Sequence, residues 1–244
     1  MVVIINADDL GISRGVNREI FRLAAEGAIT SATLLANGEA VRDAAAEVRK
    51  FPGLSFGVHL NLTEFQPVAA SAGLRPIIDE AGRFRGNHIR EIRLDRELKT
   101  AIFREWCAQI EKLIGLGIKP SHIDSHHHTH TIPALFPVLR AVGKKYGITK
   151  VRISRNFYLD TDPVMLRLKK SLYNAALRHV SGFRTTDLFS GFDMFLGRSD
   201  GWRGAKSIEL MVHPGAPGSE TETGQLLEWV RSEREIRLIS YNDL

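Results

Sequence analysis

The sequence predicts one α/β domain built as an irregular (β/α) barrel, similar in plan to a TIM barrel, with about seven parallel strands. Short apolar, β-branched runs alternate with amphipathic stretches of helical length along almost the whole chain, which is typical of a parallel sheet covered by helices. The chain has 244 residues, a length at which barrels commonly form one domain. No linker, repeat or low-complexity stretch divides it, so we expect a single domain over residues 1–244.

The first half of the chain is predicted to hold two helices between three strands. Ser13 is placed to cap the first helix, which stops near Gly27, and an alanine-rich helix follows and ends near Lys50. The apolar positions of the first helix share one face, as expected for a helix packed on a sheet. The three predicted strands cover residues 2–6, 31–36 and 54–62.

The second half continues the alternation of strands and helices. Asp95 is placed to cap a long helix that Gly115 closes, Pro133 begins a shorter helix that ends at Gly147, and Pro163 opens a third. A last helix is predicted over residues 223–232. The predicted strands of this half cover residues 121–124, 150–154, 207–213 and 237–241.

Two stretches interrupt this rhythm. Residues 65–94 are rich in glycine and proline, and residues 186–205 are rich in Gly, Asp and Ser. Long stretches without secondary structure are usually functional in compact domains. We therefore expect both to be loops that act as lids or as walls of a binding site.

Charge and cysteine content argue against several classes of protein. The net charge is +5, and the densest basic runs are interleaved with acids, so we interpret them as solvated faces and expect no nucleic-acid partner. Cys107 is the single cysteine, so no internal disulfide can form. No signal-peptide core or membrane-spanning run is present, which favours a cytoplasmic protein without a membrane span. Whether it assembles as a homodimer is left open.

Polar residues with catalytic potential follow four of the predicted strands, and in parallel α/β folds such strand ends form the site. The first strand leads into Asp8 and Asp9, whose carboxylates repel unless a cation or hydrogen bonds offset the repulsion. The alternative is a plain turn with an aspartate cap. The third strand passes through His59, where a hydrogen-bonded core histidine is the more common case, although the neighbouring Gly57 indicates close approach by another group.

The strongest signal follows the fourth strand, where residues 126–130 contain four histidines. These imidazoles would repel one another when protonated, and a divalent cation removes that conflict. We therefore predict a metal site, and one Asp with two His would leave open coordination positions, as in catalytic centres. The late strand ends in His213 before Pro214, where the imidazole is either a turn residue or a proton donor at the rim.

These segments together resemble the YdjC-like carbohydrate deacetylases, the family that includes the diacetylchitooligosaccharide deacetylases. The resemblance covers essentially the whole chain and rests on residues 6–11 (NADDLG), 57–62 (GVHLNL), 124–130 (DSHHHTH) and the pair His213 and Pro214. The first motif more commonly carries Phe where this chain has Leu10, a conservative change. The resemblance implies an irregular barrel and hydrolysis of an acetamido group on an amino sugar or oligosaccharide.

By this resemblance, Asp9, His59 and His126 are the metal ligands, Asp8 is the catalytic base and His213 is the catalytic acid. The chemistry of amide hydrolysis agrees with these roles. A bound ion would polarise the carbonyl and lower the pKa of a water molecule. Asp8 would accept the proton as water attacks, and His213 would protonate the departing nitrogen.

We expect one divalent ion, but its identity is open. Members of the family are commonly described with magnesium, whereas two imidazole ligands favour zinc or a similar transition metal. Further residues are expected to orient the ligands, to line the pocket or to carry sugar rings. The aromatic members of this set are equally consistent with core packing. The set is Asn61, His127, His128, His130, Phe157, Tyr158 and Trp202.

Two other functions remain as alternatives. A metal-dependent phosphoesterase on a similar barrel would share the His and Asp cluster, but such sites usually hold two or three ions and begin with a His-x-His strand end. A non-catalytic metal-binding or regulatory protein would explain the histidines, but it leaves Asp8 and His213 without a role.

Overall fold

The fold is built on a single curved sheet. The computed structural model describes residues 1–158, 162–197, 204–233 and 236–244. Within these ranges, seven strands form one parallel sheet that curves into a half-barrel covered by helices. This confirms the predicted α/β fold and the number of strands. Trp202, a predicted sugar-binding residue, lies outside the described residues.

The strands lie in the order β4-β3-β2-β1-β6-β5, and β7 pairs with the start of β1. Because all pairs are parallel, the carboxyl ends of the strands meet at one rim. His59 on β3 is the register partner of Asp124 on β4, so two of the predicted segments lie side by side. The strands are β1 (Val2–Leu10), β2 (Ser31–Leu34), β3 (Ser55–Leu60), β4 (Ile123–Ser125), β5 (Leu188–Gly191), β6 (Ser207–Val212) and β7 (Arg237–Leu238).

The predicted helix caps are present. The Ser13 hydroxyl accepts a hydrogen bond from the backbone N–H of Val16, and the Asp95 carboxylate accepts one from Leu98. Gly147 ends its helix with a φ of 65°, the left-handed conformation that glycine adopts freely. The helices are α1 (Arg14–Ala25), α2 (Val41–Val48), α3 (Arg96–Gly115), α4 (Phe136–Tyr146), α5 (Val164–His179), α6 (Phe192–Leu196) and α7 (Glu220–Ser232).

The prediction of a regular strand at residues 150–154 is wrong. Only isolated bridges form there, from Val151 to Ile123 and from Lys150 to Arg184. The side chain of Asn174 on α5 takes the place of a neighbouring strand, since it accepts a hydrogen bond from the Ser154 N–H and donates one to the Ser154 carbonyl. The segment nevertheless lies beside β4, and its residues Val151, Arg152 and Ile153 are fully buried.

The two predicted loops differ in outcome. Residues 186–205 contain β5 and α6, so the prediction of an unstructured loop is wrong for residues 188–196. Four residues of strand followed directly by five of helix are too short to show a clear period in the sequence. Residues 65–94 instead contain two 3₁₀ turns, at Ala72–Ile77 and Gly86–Arg90. The first turn packs against α3, and Arg90 of the second donates a hydrogen bond to the backbone of the histidine segment. None of the helices in the described ranges has the length and apolarity needed to span a bilayer.

Candidate active site

The end of β1 directs two adjacent carboxylates to different places. The pairing of β1 with β2 shifts register between Ala7 and Leu10, and Asp9 has a φ of 68°. Such an irregularity bends a strand and redirects its side chains. Asp8 is consequently buried inside the barrel, whereas Asp9 is partly exposed at the rim. The two adjacent side chains therefore occupy different surroundings.

Asp9, His59 and His126 come together at this rim. The Oδ1 atom of Asp9 lies 3.1 Å from His59 Nε2 and 2.7 Å from His126 Nδ1. One potential ligand atom from each residue lies within 4.8 Å of the others. The other ring nitrogen of His59, Nδ1, lies 2.8 Å from the Asp124 carboxylate, which fixes the ring so that Nε2 faces Asp9.

The chemistry of these donors fits a divalent ion. With metal–ligand distances of about 2.0–2.2 Å, neighbouring ligand atoms lie roughly 3 Å apart, close to the spacings between Asp9 and the two imidazoles. Burial raises the pKa of Asp9, but hydrogen bonds from His126 and His59 outweigh it and hold that pKa well below its usual value. The ligand carboxylate is therefore ionised, and the buried Nε2 of His126 has no hydrogen-bond partner among the described residues.

A strained turn presents the histidines. His127 and His128 have φ values of 50° and 54°, and the left-handed conformation costs a non-glycine residue about 1–3 kcal/mol. The turn sends His127 toward the Thr63 hydroxyl and His128 edge-on to the ring of Phe189. Burial, with the nearby charge of Arg152, lowers the pKa of His128 to about 3, so this imidazole is neutral.

His130 and Asn61 organise the backbone around the site. The Nε2–H of His130 donates to the Arg152 carbonyl, 3.1 Å away, so Nδ1 accepts from the Ser125 hydroxyl. The Asn61 side-chain oxygen accepts from the N–H groups of Thr63 and Glu64. Both residues thus support the segments that carry the site. Of the predicted aromatic platforms, Phe157 is buried and Tyr158 is half-buried.

Arg152 is the main residue that the sequence predictions missed. Its fully buried guanidinium binds both oxygens of Asp8 at 2.7 Å and lies 2.9 Å from Asp124. Its Nε donates to Glu209, again at 2.7 Å, and the Tyr241 hydroxyl donates to the same carboxylate. A signal for this network was present, because Arg152 and Glu209 each interrupt an apolar run, and a charge buried in a strand needs a partner.

This network sets the charge of Asp8. Burial raises the pKa of Asp8, but the charge and hydrogen bonds of Arg152 outweigh it and hold that pKa well below its usual value. Asp8 is therefore ionised at neutral pH. Asn6 donates a further hydrogen bond to Oδ1, so Oδ1 accepts from both Asn6 and Arg152, whereas Oδ2 accepts from Arg152.

His213 shares a cavity with the two aspartates. The cavity holds about 320 Å³ and is lined by Asp8, Asp9 and His213 together with apolar side chains. The backbone N–H of His213 donates to Glu222 on α7, which anchors the turn after β6. The structure therefore brings His213 to the same rim as the predicted ligands, although its strand lies far away in the sequence.

Glu64 was also missed by the sequence predictions. Its carboxylate lies 3.5 Å from His126 Nε2 and 4.0 Å from His127 Nε2, and its side chain is 43% exposed. Arg90, from the second 3₁₀ turn, donates to the His127 carbonyl at 2.6 Å. This side of the site is therefore polar and open. The segment of residues 65–94 contacts the histidine turn through Arg90, and its role as a wall of the site stays a prediction.

Several known proteins are similar to this chain over most of its length. A carbohydrate deacetylase of Geobacillus stearothermophilus is 35% identical over 215 residues, which cover 86% of this chain and 78% of that protein. A chitooligosaccharide deacetylase of Escherichia fergusonii is 32% identical over 262 residues, which cover 100% of this chain and 99% of that protein. A solved structure from Enterococcus faecalis V583, of a protein named for cellobiose-phosphate cleavage, has a TM-score of 0.78 at 26% identity and covers 99% of this chain and 97% of that one.

The family model described as YdjC-like protein matches residues 2–240, nearly the whole chain. The matched region includes Asp8, Asp9, His59, His126 and His213. This chain belongs to the YdjC-like family.

Proposed function

We propose that the protein is a metal-dependent hydrolase that removes the N-acetyl group from an acetylated amino sugar or oligosaccharide. The observation that carries the proposal is the meeting of three potential ligands, Asp9, His59 and His126, with an ionised Asp8 at one rim. Relatives named carbohydrate deacetylase and chitooligosaccharide deacetylase support this substrate class.

Asp9, His59 and His126 would hold one divalent ion, which would supply Lewis acidity to the amide carbonyl and to the attacking water. Asp124 supports this role because it fixes the ring of His59. Two imidazoles favour zinc or a similar ion on ligand softness, and family resemblance favours magnesium. Glu64 is close enough to His126 to influence the site from its open side.

Asp8 is the proposed general base. Asp8 lines the cavity that would hold the substrate, and Arg152 fixes the carboxylate through both of its oxygens. A low pKa keeps Asp8 ionised but makes it a weak base by itself. Proton transfer to Asp8 therefore depends on a water whose own pKa has been lowered.

His213 is the proposed general acid. An amine leaves a tetrahedral intermediate only when its nitrogen gains a proton, and imidazole donates protons near neutral pH. His213 lines the same cavity as Asp8, and the hydrogen bond to Glu222 holds its backbone in place. Base and acid would thus act on one substrate from two different strand ends.

The structure weighs against the phosphoesterase alternative. Asp8, His59 and Asp124 form a second potential ligand group, but the Arg152 guanidinium already contacts both carboxylates there. A positive side chain in that position disfavours a second cation, which phosphoesterase sites of this type usually need. A non-catalytic metal-binding protein would have no use for an ionised carboxylate and an imidazole facing one cavity.

Acetate release with defined metals tests the proposal. The protein is stripped with a chelator, reloaded with Mg²⁺, Mn²⁺, Co²⁺ or Zn²⁺, and incubated with N-acetylated mono- and oligosaccharides. We expect acetate and free amine in equal amounts, dependence on metal, and about one tightly held ion per chain. The His126→Ala variant should lose the ion. Two ions per chain, or release of phosphate from phosphate esters without release of acetate, would support the phosphoesterase instead.

A further inference from the structure

The cavity beside the proposed reacting groups has two chemically different walls. One wall carries Asp8, Asp9 and His213, and the other is formed by the start of α1 and the turn after β6. The side chains of the second wall are mainly aliphatic. They belong to Ile12, Val16, Pro214, Ala216 and Pro217.

The second wall is rigid. Gly215 has a φ of 75°, and a Cβ added to it would lie 3.0 Å from the Cα of Val16, so the two segments are in direct backbone contact. A residue with a side chain at this position would push them apart. The wall is therefore part of the packed structure and not a flexible lid.

The same wall offers few free polar groups. The N–H of Ile12 donates to the Asp9 carbonyl, and the N–H of Ala216 donates to the His213 carbonyl. The Ser13 hydroxyl, the polar side chain of this wall, accepts from the N–H of Val16. Burying a hydroxyl without a hydrogen-bond partner costs several kcal/mol, so this wall suits hydrocarbon and disfavours a sugar.

An amide substrate has two substituents that must leave the carbonyl carbon in different directions. If the carbonyl lies at Asp8 and Asp9, the sugar nitrogen leads toward one side and the acyl chain toward the other. Glu64 and His127 make the open side polar and suited to hydroxyl groups. On the basis of the proposed function, we infer that the apolar side is an acyl-binding site and that it accepts N-acyl groups longer than acetyl.

The size of the cavity supports the acceptance of N-acyl groups longer than acetyl. One water occupies about 30 Å³ in the liquid, and a methyl group is of similar size. The cavity of about 320 Å³ is several times larger than an acetyl methyl, even after an ion and a water take their share. Burial of each added methylene should improve binding about fourfold, so propionyl and butyryl amides should be substrates.

A series of N-formyl, N-acetyl, N-propionyl and N-butyryl glucosamines tests the inference. For the metal-loaded parent protein, we expect kcat/KM on the butyryl amide to be at least about one tenth of that on the acetyl amide. Ala216→Leu and Ile12→Phe fill the site from two separate segments. Each should lower the ratio of butyryl to acetyl kcat/KM at least about tenfold. Ala70→Leu, at an exposed loop position, makes the same chemical change as Ala216→Leu elsewhere and should leave the ratio unchanged.

Binding of the product acid gives a readout apart from turnover. Saturation-transfer NMR should show contact between the butyrate methyl and the parent protein, and Ala216→Leu should weaken it. If acetate is released but the butyryl amide is over about 10³-fold poorer, or if filling variants lower all four rates equally, the acyl site is wrong and the proposed function stands. Failure to release any of the four acyl groups would overturn both.

Discussion

Two clusters of charged side chains meet at the end of β1 and are built on opposite plans. The floor network consists of Arg152, Asp8, Asp124 and Glu209, all buried and joined by contacts of 2.7–2.9 Å. The rim triad consists of Asp9, His59 and His126, in which two imidazoles face one carboxylate oxygen. The floor contains its own permanent cation. The rim has only groups whose charge depends on protons or on an ion.

Backbone conformation divides the two clusters in the same way. Strained left-handed residues occur at the rim, at Asp9, His127 and His128. The floor residues do not appear among the positive-φ residues of the described chain. Strained conformations persist only where the surroundings fix them, and the rim is tied to the floor through the contact of His59 with Asp124. We therefore expect the floor to serve stability and the positioning of Asp8, the proposed base, and the rim to serve the proposed metal binding.

The largest effects should come from separating the two adjacent aspartates. Asp9→Ala should remove metal binding and activity together, because it deletes the carboxylate that both histidines face. Asp8→Asn should keep the metal and lower kcat about 10²–10⁴-fold, because it removes the proton acceptor while Asp124 and Glu209 still pair with Arg152. Metal content by elemental analysis and acetate release measure the two effects.

A matched control is Asp43→Asn, since Asp43 also pairs with an arginine but lies on the surface with Arg14. That variant should change neither metal content nor rate. Equal loss of metal in Asp8→Asn and Asp9→Ala would show that the two carboxylates share one role. The proposed separation of roles between Asp8 in the floor and Asp9 in the rim would then be wrong.

The next largest effect is on stability. Arg152→Met removes the one guanidinium that contacts all three floor carboxylates among the described residues, and it leaves Asp8 and Glu209 buried without that partner. We expect it to lower the free energy of unfolding by about 3–5 kcal/mol. Urea unfolding of the chelated protein measures it. Arg14→Met breaks an exposed ion pair and should cost less than about 1 kcal/mol. If Arg152→Met and Arg14→Met lower the free energy of unfolding equally, the floor network has no special role in stability.

The rim was more predictable from the sequence than the floor. Four histidines in residues 126–130, a pair of aspartates and a histidine before proline are local signals, and each marks a strand end. Parallel strands place such ends together without any knowledge of detailed packing. The sequence therefore predicted which residues meet at the rim. It did not predict which of the histidines turn inward, because this depends on two left-handed residues in succession.

The floor depends on contacts between residues distant in the chain. Arg152 and Asp8 are 144 positions apart, and no local pattern links them. The segment carrying Arg152 is not a regular strand, so periodicity gave the wrong element there. What could have been used is charge pairing, because a lone Arg and a lone Glu in two apolar runs require a common partner. The elements β5 and α6 were missed for a related reason. They are too short to show a hydrophobic period in the sequence, so only their contacts in the fold define them.

A smaller effect concerns pH. Burial raises the pKa of Glu209 to about 7, although Arg152 and Tyr241 act to lower it. A pKa raised above the unfolded value of about 4.5 gives stability that is complete below pH 4.5 and is lost as the pH rises toward 7. In Glu209→Gln this titration is absent. The stability of the parent relative to the variant should therefore fall by up to about 3 kcal/mol between pH 4.5 and 7.5.

Urea unfolding at both pH values, with chelator present, measures this change. Glu111→Gln is the matched control, because Glu111 also accepts a hydrogen bond from a tyrosine hydroxyl, that of Tyr146, but lies on the surface. Its stability difference from the parent should not fall over this pH range. A difference for Glu209→Gln that stays constant with pH would show that the floor carries the same charge throughout, and that it is rigid in protonation as well as in geometry.

The smallest expected effect separates His213 from both clusters. His213 lines the cavity, but it belongs neither to the rim triad nor to the floor network. His213→Ala should lower the rate on a sugar acetamide about 10²-fold, at the low end for a general acid, because water at this partly open rim can replace part of the donor's effect. On an activated aryl acetate the loss should be much smaller, since that leaving group departs without a proton. The ratio of the two losses, with metal content unchanged, is the measurement. Equal losses on both substrates would exclude His213 as the acid, and loss of metal would place it in the rim triad as a further ligand.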